Sequence, residues 1–325
     1  MSAQQMHTPT ADGVARAARK IADLLPKTPL LEAEIGGARI WLKAESLQPI
    51  GSFKIRGAWH RMSDLSEAER ARGVVGVSSG NHAQGVAWAA QRLGITATIV
   101  MPIDAPQVKI DATRSYGAGV VLYDRPGGED RDEVARRLIG QSGATLVHAF
   151  ADPWVIEGQG SMGLEIAAQM AARGFDGPTR IVCPCGGGGM TAGLALACPE
   201  AAIVPVEPEG WDDVKRSLAA GEILTVGKDA PTTACDALQT PATRPINFAV
   251  LQARVPFGLM VTAAEVRAAQ RWAIATLHLV LEPGGAAALA AALAGKVDLD
   301  GRTAIVLSGG NTDSAAFAKV LSSQD

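Results

Sequence analysis

Two short segments carry residue types suited to chemistry. Cys185-Gly186-Gly187-Gly188-Gly189-Met190 follows the apolar run 181–184 and precedes a helical pattern at 191–197. Consecutive glycines let the backbone turn sharply and aim several N–H groups at one anion. The positive end of the following helix adds to that field. Gly186, Gly187, Gly188, Gly189 and Met190 therefore form a candidate phosphate cradle. The Gly-Lys-Ser/Thr that a nucleotide P-loop needs after its loop is missing, and Thr191 stands where a dinucleotide fingerprint wants its third glycine. The phosphate then belongs to some other small molecule. A tight turn without a ligand is the plainer alternative.

The second segment is Gly51-Ser52-Phe53-Lys54-Ile55-Arg56-Gly57-Ala58. A helix is expected to start at Ser52, which puts Lys54 in its first turn. The positive end of a helix disfavours a cation. It favours the neutral amine that an imine-forming lysine needs, and Phe53 offers a flat apolar face beside it. An ordinary solvated lysine is the plainer alternative. Two polar turns, Ser78-Ser79-Gly80-Asn81-His82 and Ser308-Gly309-Gly310-Asn311, each follow a strand-like run. Open α/β sheets bind ligands at such strand ends. His82 and His148 are expected to be structural.

These segments need a frame. Short apolar runs lie at 39–43, 74–77, 97–101, 119–123, 145–148, 180–184, 202–206 and 303–307. Most are continuous, as in strands buried on both faces. Helical stripes lie between them: Val14, Ala17, Ala18, Ile21 and Leu25 mark one, and Val86, Ala89, Ala90 and Leu93 another, closed by Gly94. The alternation predicts an α/β fold with parallel sheets flanked by helices. The stretch 224–258 holds Pro231, Pro241, Pro245 and Pro256 and shows no period. It reads as a long, functional connection. The Ala-rich pattern after Gly285 reads as tightly packed core.

Composition narrows the function classes. At 325 residues the chain suggests about two domains. A net charge of −3 gives no general attraction to nucleic acid or acidic lipid. No apolar run approaches the roughly 20 residues that cross a bilayer. Residues 1–12 are polar, show no secretory signal and read as a loose tail. Cys183, Cys185, Cys198 and Cys235 lack a zinc spacing. A reduced, cytoplasmic enzyme is expected. The chain stops soon after its last strand and helix, so no appended regulatory domain is expected.

The combination is specific. The Ser52–Ala58 segment, Ser78-Ser79-Gly80-Asn81-His82-Ala83-Gln84-Gly85, the tetraglycine loop and Leu307-Ser308-Gly309-Gly310-Asn311 occur in one order. That order resembles threonine dehydratases and serine racemases, pyridoxal-phosphate enzymes of the tryptophan-synthase-β fold (fold type II). Ala151-Asp152-Pro153, Gly158-Gln159-Gly160, Glu207-Pro208 and Glu282-Pro283-Gly284 extend the likeness over about residues 20–320. The resemblance implies that Lys54 forms the internal aldimine, Phe53 packs against the ring and Asn81 bonds the phenolic oxygen. Residues 186–190 would hold the phosphate, and Ser308 would face the pyridine nitrogen. It implies two open, twisted, mostly parallel sheets flanked by helices, a large domain, residues 1–64 and 151–325, a small one inserted at 65–150, and a homodimer.

The implied reaction is dehydration and deamination of L-threonine or L-serine to a 2-oxo acid and ammonia. The freed Lys54 amine would take the Cα proton. A neutral Ser308 makes the ring a weaker electron sink than a carboxylate would, which favours prompt loss of the β-hydroxyl. The Ser78–His82 turn would face the small amino-acid substrate. A racemase or a 3-hydroxyaspartate dehydratase is the alternative on the same scaffold. Ser79 occupies the position that serine racemases use as second acid/base, although a serine there can also merely cap a helix. Phe150 looks dehydratase-like. Arg131 aligns approximately with an arginine that contacts a distal carboxylate; a solvated arginine is the plain alternative. Glu207, Trp211 and Asp213 match a site for Mg²⁺ or Ca²⁺, built from two carboxylates and a backbone carbonyl. Asp236-Ala237 departs from the family's usual Asp-Gly. A β-replacing synthase, a nicotinamide dehydrogenase and a non-catalytic binding protein fit these motifs less well.

Overall fold

The computed structural model describes residues 7–227 and 229–322. The strands are β1 (Leu30–Ile35), β2 (Ala38–Ala44), β3 (Val74–Val77), β4 (Ala97–Pro102), β5 (Gly119–Tyr123), β6 (Thr145–Val147), β7 (Arg180–Pro184), β8 (Ala202–Pro208), β9 (Leu259–Val261) and β10 (Thr303–Leu307). The helices are α1 (Ala11–Ala22), α2 (Lys54–Ser63), α3 (Glu67–Arg72), α4 (Asn81–Leu93), α5 (Gln107–Ser115), α6 (Arg131–Ser142), α7 (Pro153–Ala171), α8 (Gly189–Ala197), α9 (Asp213–Ala220), α10 (Pro245–Arg254), α11 (Ala263–Trp272), α12 (Pro283–Leu293) and α13 (Ser314–Ser322). One six-stranded sheet runs β1-β2-β10-β7-β8-β9, and one four-stranded sheet runs β5-β4-β3-β6. All neighbours pair in parallel except β1 and β2. The two-sheet α/β architecture is the one expected.

All eight predicted runs are strands. Two further strands escape a search for buried runs. β1 is an edge strand buried only at its two ends, Leu30 and Ile35, with half-buried and exposed positions between them, and β9 has only three residues. The stretch 224–258 is not aperiodic throughout. Pro245 opens α10 at its first turn, where its missing N–H costs nothing. The expected start at Ser52 is also corrected: α2 begins at Lys54 after Phe53, and Ser52 instead bridges to Gly309. Gly94 closes α4 in the left-handed conformation at φ 64°, as expected. Residues 1–6 of the polar tail lie outside the described residues. Thr10 caps α1 and is tied to Glu157, so the segment next to the helix is held rather than loose.

Each sheet buries both faces. The alanines of α12 from Ala286 to Ala292 are all at most 2% exposed and pack on the six-stranded sheet beside Ile305 and Leu307. Their small size brings the helix close to the strands. Ile55, Ala58 and Met62 of α2 share one core with α1, α4 and the four-stranded sheet. Meanwhile α2 crosses α7 where glycines meet: a Cβ on Gly158 would lie 2.6 Å from Gly57 Cα. Gln159 Oε1 accepts from Gly57 N at that crossing. This contact sets the position of α2, and with it Lys54. Among the described residues, no helix is long and apolar enough to cross a membrane.

Candidate active site

A cavity of about 720 Å³ opens where the carboxyl ends of both sheets face each other. Lys54, Phe53, the Ser78–His82 turn, the 186–190 loop and Ser308 all line it. The sequence spreads these residues over most of the chain; the fold brings them to one space. Such a volume suits a small cofactor plus a small substrate.

Lys54 Nζ donates to the carbonyl of Ala149 at 2.8 Å and stands 5.1 Å from the centre of the Phe53 ring. Its pKa is lowered to about 8, chiefly because burial penalises the charged amine; nearby Glu282 opposes the shift. Burial thus joins the helix end in favouring a neutral amine.

Asn81 begins α4 and is held from two sides. Its Oδ1 accepts from Asn311 Nδ2 at 2.8 Å, and its Nδ2 donates to Glu282 Oε1. The second proton on that nitrogen stays available to a ligand oxygen. Glu282 Oε2 lies 3.4 Å from Lys109 Nζ, which lies 2.7 Å from Asp236 Oδ2. Burial raises the Glu282 pKa, against the pull of Lys109. Sequence reasoning misses this cluster. Glu282 and Asp236 stand out only within motifs, and Lys109 has no local signal. Lys109 arrives from α5 by tertiary packing alone.

The glycine loop is shaped for close approach. Gly188 has φ 83° and caps α8, whose first N–H groups lack intrahelical acceptors. A Cβ on Gly187 would fall 2.3 Å from the Phe150 ring. Thr243 Oγ1 donates to Gly187 O at 3.1 Å and fixes that peptide's direction. An anion placed here would meet free N–H groups in the cavity that holds Lys54, so the residues present fit a phosphorylated aldehyde. Ser308 ends β10. Its N–H donates to Gly285 O, and its carbonyl accepts from Phe53 N at 3.1 Å, coupling that strand to the residue before Lys54.

The polar turn separates into roles. Ser78 Oγ accepts from Gly80 N at 3.1 Å. Gly80, not Ser79, caps α4, and no side chain bonds to that helix end. Ser79 lines the cavity without serving as a cap. His82 Nε2 meets the Val147 carbonyl at 2.8 Å, and burial drops its pKa to about 3. The ring is neutral and structural. His148 Nδ1 accepts from Ala151 N at 2.9 Å. Burial first, then Arg244 and Arg131, lower its pKa to about 4.

Arg131, Asp132, Arg136 and Arg244 line the outer part of the cavity. Arg131 Nε lies 3.6 Å from Asp132 Oδ1. Of these four, only Arg131 could be anticipated from the sequence.

Glu207, Trp211 and Asp213 lie near the glycine loop rather than in the cavity. Glu207 accepts from Val214 N at 3.0 Å and Lys215 N at 2.7 Å. Asp213 Oδ2 accepts from Thr243 N at 2.9 Å, while its buried Oδ1 has no hydrogen-bond partner. Trp211 Nε1 donates to Pro231 O at 2.8 Å. Burial first, then Asp213, lifts Glu207 well above the carboxylate range; burial lifts Asp213 to about 7. Two buried carboxylates with an orphan oxygen suit a hard cation. No cluster of three or more His, Cys, Asp or Glu that could hold a metal occurs among the described residues. Backbone oxygen would have to complete such a site.

Comparison with known proteins agrees with this geometry. The chain is 40% identical over 319 residues to L-threo-3-hydroxyaspartate ammonia-lyase of Pseudomonas sp, covering 95% of this chain and 97% of that protein. It is 37% identical over 324 residues to serine racemase of Schizosaccharomyces pombe, covering 97% and 98%. The crystal structure of T.th. threonine deaminase superposes with a TM-score of 0.86 at 43% identity, covering 94% of this chain and 99% of that one. The profile of the family described as "Pyridoxal-phosphate dependent enzyme" matches residues 21–309. An amine of lowered pKa beside an anion cradle is what that cofactor requires, and the chain belongs to the pyridoxal-phosphate dependent enzymes of the ammonia-lyase and racemase group.

Proposed function

We propose that the protein is an ammonia-lyase that eliminates water from a small 3-hydroxy amino acid and releases a 2-oxo acid and ammonia. The observation that carries this is the shared cavity of Lys54 and the glycine loop. Pyridoxal phosphate, when bound, supplies an electron sink next to Cα of the substrate. Residues 186–190 would hold its phosphate, Asn81 its phenolic oxygen, Ser308 its ring nitrogen, and Phe53 would pack on the ring. The protein's own groups do the rest. Lys54 Nζ, its pKa lowered to about 8 by burial, would hold and move the Cα proton. Gly187 packs closely on the Phe150 ring on the loop side.

The charge at the cavity mouth supports one order among the substrates. Arg131, Arg136 and Arg244 line it, with Asp132 as the opposing acid among them. A second carboxylate on the substrate would meet net positive charge there, whereas the methyl of threonine would gain nothing from it. The geometry therefore favours 3-hydroxyaspartate over L-threonine or L-serine, reversing the order taken from the motifs. Racemisation is a second reading, because the Ser79 hydroxyl is not used as a helix cap. Glu207, Asp213 and the Trp211 carbonyl would hold Mg²⁺ or Ca²⁺ beside the loop. The same reading includes the domain division at 65–150, a homodimer and a cytoplasmic setting. Purified holoenzyme with L-threo-3-hydroxyaspartate, L-threonine and L-serine, scored for oxo acid and D-isomer, tests it. Oxo acid should form fastest from the dicarboxylate; an absence of oxo acid from all three would overturn the lyase assignment.

A further inference from the structure

Asp132 lies between two guanidinium groups that come from opposite sides of the cavity. Arg131 Nε is 3.6 Å from its Oδ1, and Arg244 Nη2 is 4.0 Å from its Oδ2. Arg131 and Asp132 belong to α6, which packs on the four-stranded sheet. Arg244 precedes α10, which packs on α8 beside the six-stranded sheet. The arrangement thus spans the mouth of the cleft.

The backbone at Arg244 is anchored on both sides. Thr243 before it bonds Asp213 and Gly187. Asn247 after it donates to Phe150 O at 2.9 Å. The guanidinium itself is half exposed and has no partner closer than Asp132 among the salt bridges of the described residues. A side chain on so firm a base, aimed at the mouth and weakly paired, can take a stronger anionic partner with little reorganisation. Both arginines also act electrostatically on His148, and the next residue, Ala149, holds Lys54 Nζ.

We propose that Arg244 is a specificity-determining residue: together with Arg131 it receives the distal carboxylate of a four-carbon dicarboxylic amino acid, at the place where Asp132 now pairs with both. The carboxylate would bridge the two sides of the cleft, so dicarboxylates gain an interaction that monocarboxylates cannot make. This rests on the 3-hydroxyaspartate reading above, and the test separates the two.

The test uses holoenzyme carrying Arg244→Gln or Arg244→Lys. Succinate and butyrate serve as unreactive probes that differ by one carboxylate. Their competition constants are measured against whichever substrate the wild type turns over. In Arg244→Gln the succinate constant should rise about tenfold relative to that of butyrate, the loss of one charge-assisted contact. Arg244→Lys should recover part of the difference. The ratio of kcat/KM for hydroxyaspartate over L-serine should fall in parallel. An unchanged succinate-to-butyrate ratio in Arg244→Gln overturns the proposal. If the wild type eliminates L-serine but not hydroxyaspartate, the substrate assignment fails, and a lost succinate preference still upholds Arg244 as the carboxylate contact.

Discussion

The Nζ of Lys54 hydrogen-bonds the main-chain carbonyl of Ala149 across 95 residues of sequence, at 2.8 Å. This single bond joins the start of α2 to the segment that leaves the four-stranded sheet. It satisfies a buried amine without a carboxylate partner. A neutral acceptor stabilises the ammonium less than an ion pair would, so desolvation prevails and the pKa falls.

Replacing Lys54 with Ala should remove turnover by at least about 10³-fold, the scale of a lost general base that also carries the cofactor. The visible absorbance of bound cofactor should be lost with it. The side chain lies at a cavity wall, so thermal unfolding of the variant should stay within a few degrees of wild type. Wild-type rates in Lys54→Ala would refute the assignment.

Cofactor uptake by apoprotein should depend on pH in a definite direction. The Lys54 pKa is lowered to about 8, so the reactive neutral amine increases as pH rises through that value. The uptake rate should climb from pH 7 and level off above about 9, one unit past the midpoint. Glu282 raises this pKa. Glu282→Gln should therefore shift the midpoint to lower pH. Stopped-flow absorbance reads both profiles, and an upward shift would contradict the electrostatics.

Gly187→Ala tests the loop. The new Cβ would press on the Phe150 ring at 2.3 Å. Overpacking of this kind costs about 1–3 kcal/mol, which should weaken cofactor affinity by about tenfold or more in equilibrium dialysis. Phe150→Ala in the same chain frees the space and should restore part of the affinity, a coupling that independent sites would not show.

Ser79→Ala separates elimination from racemisation. Any D-isomer formed by the wild type should vanish, while oxo-acid production falls by no more than a few-fold. Chiral chromatography and oxo-acid detection on one reaction give both rates. Equal loss of the two would deny Ser79 a role confined to racemisation.

The Glu207 and Asp213 pair predicts a stability effect. Adding Ca²⁺ or Mg²⁺ should raise the melting temperature of the wild type by linkage, and a chelator should reverse the gain. Asp213→Asn should abolish the response. A melting curve indifferent to both ions would remove the cation from the site.

Much of this molecule is legible along the chain because the signals are local. A buried parallel strand is a short apolar run, so β3, β4, β7 and β10 announce themselves. A glycine run between strand and helix can do little except turn tightly and bare its N–H groups, and Gly94 ends α4 for an equally local reason. Lys54 and the 186–190 loop can be singled out from their own residue types, and Asn81 and Ser308 through the family resemblance of the short motifs that hold them. What escapes is non-local. Lys109, Arg136 and Arg244 have no motif around them. Only the packing of α5, α6 and α10 carries them to the cavity, where charge and desolvation act over a few ångströms of space rather than over residues of sequence. The lowered pKa of Lys54 has the same origin: the amine is written in the chain, but its dielectric surroundings exist only once the two sheets face each other.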